Sequence, residues 1–445
     1  MKKATAILAV LLLLSAASVF AGGQKETAAE AAQPTVLTVL YYIDATQAGY
    51  AEDQAIWAKF SAENPDIKIE KEELFDQAFH DKVAAYVAAG TLPDVMYMWP
   101  SGRSTALHEK KLVKDLTPLL GKEFLSNFVP AAIDPANQNS GYLAELPQSV
   151  TYTTVMYTNT KLLKDNGLAE PRAYADLKAM VPKLRAKGVQ TVLMANKDTW
   201  VMQSCLFSTV TGRLLGDAWI DSVKAGKANF SDKAFVDALG FIDTMYKDGV
   251  ISRDTIQLAY GEAPALFAEN KAAFQVDGDW RQGYFLTDKA SGVALIDPQR
   301  QKNEFAFLNF PTIPGEKNPG VVSAIVGVGF GISASIPAGS AKEKAAVRWM
   351  KYYYSPEVQK IKLETGAFIP SRKGITSDKI EPFTQMMPQY YASINKTCYV
   401  LDGVLDVDVY TPLNNGLQEI GLGSKTPAQA AADVQKAIEA WRAKQ

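Results

Sequence analysis

Histidine and cysteine are nearly missing from this chain of 445 residues, which holds two of each. His80 and His108 are far apart, and neither has a second histidine or a cysteine at ligand spacing. That excludes a zinc site and a histidine-based nucleophile system, and no metal or cofactor is expected. Cys205 and Cys398 lie far apart and are read as two separate buried thiols, with a bridge as the alternative for an exported chain. No cysteine stands near the end of the first apolar run, so a lipid-modified N-terminus is not expected. The 46 basic and 48 acidic residues leave a net charge of -2, both signs are interspersed, and no basic run follows the first residues. Nucleic acid is therefore not an expected partner.

What the chain does have begins with MKKATAILAVLLLLSAASVFAGG. Two lysines, an apolar run and Val19-Phe20-Ala21 ahead of Gly22 predict a signal peptide over residues 1–21 and a periplasmic or other extracytoplasmic location, an uncleaved anchor being the alternative. Residues 22–33, small and polar without period, read as a disordered leader. About 410 residues remain. That is too many for one ordinary core, and two domains are expected.

VLTVLYY from Val36 is β-branched and aromatic, as a buried parallel strand requires. A helix with Ile56, Trp57 and Phe60 follows and stops at Asn64-Pro65. DIKIE alternates as a half-buried strand. A second helix carries Phe79, Val83, Tyr86 and Val87 and ends at Gly90, ahead of the strand DVMYMW. The order βαβαβ predicts an open parallel sheet with helices on its faces. Ligands of such sheets bind beyond the carboxyl ends of the strands, which is where Tyr42 to Gln47 and Trp99 to Arg103 fall. TYTTVMYTN starts a second α/β unit that includes TVLMAN. Thr426-Pro427 reads as an N-cap and N1 proline of a last helix whose Trp441 faces the core. FAFLNFPTIPGEKNPG reads as a strand running into a crossing loop. In VVSAIVGVGFGIS, Gly327, Gly329 and Gly331 imply a bend or a close approach to the backbone.

The stretch QVDGDW, residues 275–280, poses the functional question. In an extended segment Asp277 and Asp279 would face one way about 6 to 7 Å apart, a spacing open to a glycosidase pair. The same carboxylates beside Trp280 could hold a sugar without cutting it.

From about Thr35 onward the chain resembles the extracellular solute-binding proteins of carbohydrate ABC importers, the group that includes maltose-binding protein. The resemblance is carried, in order, by FSAENPDIKIE, AGTLPDVMYMW, LPQSVTYTTVMYTNTKLLKDNGL, ALFAENKAAFQVDGDW, FPTIPG, the glycine-interrupted strand, KEKAAVRWMKYYYSPEVQK and GAFIPSRKG. It implies a two-lobed α/β periplasmic-binding-protein fold of type II, each lobe a sheet flanked by helices, joined by a hinge of three crossings near 147–153, 309–311 and 329–333. Lobe 1 would be 34–148 with 310–330, and lobe 2 would be 149–309 with 331–445. A monomer that binds a sugar or oligosaccharide without turnover and delivers it to membrane permease subunits of an ABC importer is implied. The alternatives are a non-sugar ligand such as a polyamine or organic acid, and a secreted glycoside hydrolase.

The resemblance also places ligand contacts. Trp280 would stack on a sugar ring, and Tyr42, Asp44, Gln47, Trp99, Trp200 and Tyr152 would line the cleft. Gly327 and Val328 would offer backbone groups. Arg372 would reach vicinal hydroxyls or form an interlobe ion pair, and Asp406 and Tyr410 would come from the stretch before the last helix. Asp277 would reach the ligand or brace its turn, and Asp279 would be a turn or cap residue, Gly278 having broken the extended run.

Overall fold

The computed structural model describes residues 33–47, 49–99, 102–138 and 140–444. The expected signal peptide and all but the last residue of the expected leader lie outside them. The N-terminal βαβαβ unit forms as β1 (Thr35–Tyr42), α1 (Tyr50–Glu63), β2 (Ile67–Leu74), α2 (Gln77–Ala89) and β3 (Val95–Met98). β1 pairs in parallel with both β2 and β3. α1 buries Ile56, Trp57 and Phe60 and stops at Asn64. On α2 Phe79 is buried, while Val83 and Val87 pack on a small satellite core and Tyr86 turns outward to donate to Glu72 at 2.6 Å. Gly90 ends α2 in the left-handed conformation, φ 68°, that favours glycine.

β4 (Glu145–Pro147) and a late strand, β13 (Gly329–Ile332), complete this sheet, in the order β2-β1-β3-β13-β4. Between them in sequence come β5 (Val150–Tyr152), β6 (Val155–Asn159), β7 (Gln190–Leu193), β8 (Ala272–Asp277), a short hairpin of β9 (Thr287–Asp288) and β10 (Val293–Ala294), β11 (Phe305–Leu308) and β12 (Val322–Val326). A second sheet runs β11-β6-β8-β7, and β12 joins β5 and β14 (Thr397–Cys398) in a three-stranded patch. Each large sheet has its own hydrophobic core. The last helix, Pro427–Arg442, is capped by Thr426 with Gln429 in a reciprocal capping box, and Trp441 packs against the second core.

The packing corrects the expected division of the chain. The resemblance implies that residues 331–445 belong to the second lobe, yet Ile336, Ala345, Trp349, Met350, Tyr353 and Val358 lie in the core of the first sheet. Trp349 stacks on Trp57 of α1 with centroids 3.8 Å apart, which fixes that helix to the first half. After Ile369, which packs against the edge of the second core, the chain enters that core with the Pro382–Ser393 helix, through Phe383, Met387 and Tyr390. Nor does the chain cross at Asn309–Pro311. Phe310 and Ile313 are buried in the second core, and Arg213 donates to the carbonyls of Pro311 and Phe310 at 2.7 and 2.9 Å. The passages between sheets are β4 to β5, β12 to β13, and the segment between Arg372 and Glu381.

The glycine-interrupted strand is thus two strands in two sheets, and its glycines answer to the chain's own backbone. A Cβ on Gly329 would lie 1.9 Å from the Leu146 carbonyl oxygen, and one on Gly327 would lie 2.7 Å from that of Ser149. Gly329→Ala therefore forces two backbones apart and is expected to cost at least the 1–3 kcal/mol or so of ordinary overpacking. Gly240→Ala, in a helix with nothing within 4 Å of the added methyl, should stabilise by up to about 1 kcal/mol. Denaturant midpoints of the two variants check this, and equal midpoints would contradict it.

Candidate functional site

Between the two halves lies a cavity of about 240 Å³, walled by the ends of β1 and β3 on one side and by the turns after β7 and β8 on the other. Of the residues expected to bind ligand, Tyr42, Asp44, Gln47, Trp99, Trp200, Trp280, Gly327 and Val328 line it.

On the first wall Tyr42 meets Trp99 edge to face, centroids 5.0 Å apart, and lies parallel to Tyr97 at 5.8 Å. Asp44 has both oxygens engaged. Oδ1 accepts from the amide and hydroxyl of Thr46 at 2.8 and 2.7 Å, and Oδ2 accepts from Tyr284 Oη at 2.9 Å, across the cavity. Its role is to close the wall.

The second wall is built around QVDGDW. β8 ends at Asp277, and a 3-10 turn, Asp279–Tyr284, begins after Gly278. Gly278 is itself extended, φ -75° and ψ 167°, so it does not end the strand by its own conformation, contrary to the sequence reading. It is glycine because the Trp280 ring folds over it, and a Cβ would stand 2.2 Å from that ring. Trp280 Nε1 donates to Tyr260 Oη at 2.5 Å. Tyr260 lies 3.7 Å from the Arg281 guanidinium, which is fully buried and bonded through Nε to Asp277 at 2.7 Å. Asp277 thus braces the turn and does not line the cavity. Trp200 packs against Tyr260 at 4.9 Å and leaves Trp280 6.2 Å away, so three aromatic rings form one wall.

Asp279, expected to be a cap or turn residue, opens the 3-10 turn and also lines the cavity. Its Oδ2 accepts from the Tyr152 amide at 2.9 Å and from Tyr391 Oη at 2.7 Å. Burial pushes its carboxyl up to about 7, against the pull of those hydrogen bonds. With Asp277 sequestered by Arg281 and Asp279 facing the cavity, the two carboxylates do not share a site as a glycosidase pair would.

Four other expected contacts are elsewhere. Tyr152 packs on Tyr391, 4.6 Å between centroids, behind the lining. Arg372 lies over Phe124 and Phe128 and donates to the Tyr354 carbonyl at 3.2 Å, on the outside of the first half. Asp406 is an N-cap that accepts from the Asp408 amide. Tyr410 stands behind Arg103, 6.0 Å from its guanidinium. Gly327 and Val328 reach the cavity, but the Gly327 amide donates to Ser149 at 2.7 Å and the Val328 carbonyl accepts from Gln148 at 2.8 Å, so those groups serve the crossing.

Sequence reasoning missed Tyr260, Tyr284, Asp279, His80, Tyr391 and Asp402, all of which line the cavity. Tyr284 follows Trp280 by one helical turn and was within reach of the pattern. Tyr260 comes from a turn and Asp402 from a four-residue helix, Leu401–Val404, and neither carries a motif. Arg103 lay inside the segment expected beyond β3, and it forms an ion pair with Asp402 at 2.9 Å across the cavity. Both cysteines are free and buried, as read from their isolation. Among the described residues no group of three or more His, Cys, Asp or Glu could hold a metal ion.

The raised Asp279 pKa has a definite sign. Folded, the carboxyl keeps its proton up to about pH 7, whereas an unfolded aspartate releases it near 3.9. The folded chain binds the extra proton between those values, so this contribution to stability is present at low pH and lost as pH rises from about 4 to about 7. Asn can accept both hydrogen bonds without ionising. Asp279→Asn should therefore flatten the fall in unfolding free energy, and with it in melting temperature, from pH 5 to pH 8, by up to about 3 kcal/mol for the two pKa units of the fall that lie in that range. Parallel profiles for the variant and the parent would contradict this.

Residues 44–360 match the model of a family described as bacterial extracellular solute-binding protein. A probable sugar-binding periplasmic protein of Rhizobium meliloti is 27% identical over 205 residues, 45% of this chain and 46% of that one. An uncharacterised ABC transporter extracellular-binding protein of Pyrococcus horikoshii is 22% identical over 382 residues, 84% of this chain and 80% of that one. The chain thus spans about half the length of the R. meliloti relative and most of the P. horikoshii one. Among solved structures, a chitin oligosaccharide binding protein superposes with a TM-score of 0.80 at 21% identity, covering 91% of this chain and 98% of that one. The maltose-bound MalE3 of T. maritima gives 0.71 at 20% identity, over 91% and 99%. These likenesses bear out the two-lobed α/β fold. With the family model matching well over half of its length, the chain belongs to the bacterial extracellular solute-binding proteins.

Proposed function

We propose that this protein captures a sugar or oligosaccharide in the cavity between its halves and hands it to the membrane subunits of an ABC importer, without turning it over. The observation that carries this reading is the second wall. Trp280, locked by its indole N–H to Tyr260, offers an apolar ring to the cavity beside the carboxyl of Asp279. A pyranose has that dual character, C–H faces for the ring and hydroxyls for polar groups at its edge. The R. meliloti relative's name and the oligosaccharide-binding names of the structural neighbours support it. In this reading the protein is exported by its first 21 residues, acts as a monomer outside the cytoplasm, and closes by bending at the three passages between sheets.

Calorimetry against neutral mono- and oligosaccharides tests it. At least one sugar should bind with no product formed on long incubation, and hydrolysis of the bound sugar would sink the reading. Trp280→Ala should weaken binding by about 2 to 4 kcal/mol, roughly 30- to 1000-fold, through lost burial and stacking. A Trp280→Ala protein that melts far lower yet binds as tightly as the parent would show Trp280 to be a core residue only.

A further inference from the structure

His80 projects from α2 into the first wall of the cavity, its ring 4.8 Å from that of Trp99. Its Nε2 lies 2.8 Å from Arg103 Nη1, the one hydrogen bond its ring makes among the described residues. A guanidinium has donors and no acceptor, so Nε2 has to be the accepting, unprotonated nitrogen. Arg103 is held in turn. Its Nε and Nη2 both donate to Asp402 Oδ2, at 3.3 and 2.9 Å, and that oxygen also accepts from Ser204 Oγ at 3.0 Å. Burial, and then the charge of Arg103, pull the imidazole down to about 3, so the ring is neutral across the physiological range. A neutral imidazole whose Nε2 accepts carries its proton on Nδ1.

We propose that His80 is a ligand-binding residue that donates from Nδ1–H to an uncharged acceptor oxygen of the ligand, and that Arg103 and Asp402 are positioning residues that fix this tautomer. The proposal rests on the sugar reading and narrows it. A hydroxyl, ring or acetamido oxygen satisfies such a donor, while an ammonium group cannot, and it would also meet the Arg103 charge. At this donor the chain would therefore favour an uncharged acceptor over an ammonium group.

The chain's two histidines make the test direct. Long-range proton–nitrogen NMR of histidine-labelled full-length protein, with the His80→Asn spectrum for assignment, should show His80 protonated at Nδ1 and bare at Nε2. An imidazolium, or a proton on Nε2, overturns the proposal whatever the ligand. Galactose, maltose, xylobiose and chitobiose are then screened by thermal shift, with spermidine as the cationic probe. A sugar that binds should shift the Nδ1 signal. His80→Leu should weaken that sugar about 10-fold or more, the loss of one buried hydrogen bond with its partner left unpaired. His80→Asn, whose amide nitrogen stands near the Nδ1 position, should stay within about 3-fold. A His80→Leu protein that binds as tightly as the parent overturns the proposal, as does spermidine binding that displaces the sugar. If none of the four sugars binds, the sugar reading fails and the narrowing with it, and the tautomer measurement tells that failure from an error in the site geometry.

Discussion

Two backbone hydrogen bonds, Gly327 to the Ser149 carbonyl and Gln148 to the Val328 carbonyl, tie together the strands on which the two halves are hung. A third passage is lashed to the same place, since the Ser371 amide and hydroxyl donate to the carbonyls of Gln148 and Pro147, both at 2.6 Å. Segments far apart in sequence thus share one narrow waist. Their backbones come closer than any side chain permits, which is why Gly327, Gly329 and Gly331 stand there. Gly327 and Val328 of the waist reach the cavity themselves, and the side chains of its two walls are carried by the halves, so the waist decides which walls meet.

The second wall shows how a mobile-looking aromatic is made rigid. Behind Trp280 stand a buried ion pair, Asp277 with Arg281, and the Tyr260 ring that Arg281 covers. A buried ion pair contributes little net stability against an apolar alternative. What this one supplies is position, since each member has its orientation fixed by the next, and the indole N–H is the last link. A ring held in advance loses less freedom on binding, so more of its contact with a ligand appears as affinity.

Local pattern was enough to read the N-terminal βαβαβ unit, the caps at Gly90 and Thr426 and the isolation of the cysteines, because each is decided within a few residues. The fold as a whole came from the order of family segments. The cavity lining was legible where strand ends dictate it, at Tyr42, Gln47 and Trp99, and where an aromatic follows a strand, at Trp280. It was not legible where the cause lies in another segment. Whether Asp277 or Asp279 faces the cavity depends on Arg281, Tyr152 and Tyr391. Arg372 was misplaced because the rings it covers, Phe124 and Phe128, are distant in sequence. The lobe boundary failed for a similar reason, since it turns on Trp349 stacking on Trp57.

In the form described here the halves touch directly across the cavity. Tyr284 donates to Asp44, Arg103 pairs with Asp402, and a Cβ on Gly102 would stand 1.8 Å from the Leu405 carbonyl oxygen. These contacts bridge the cavity; in the proposed reading they open to admit a ligand and re-form around it, which would let ligand shift the population toward the closed form. Small-angle scattering of the protein with and without a saturating sugar measures this directly. The account predicts a smaller radius of gyration with sugar, matching the closed arrangement, and a larger one without it. A profile unchanged at saturation would contradict capture by closure.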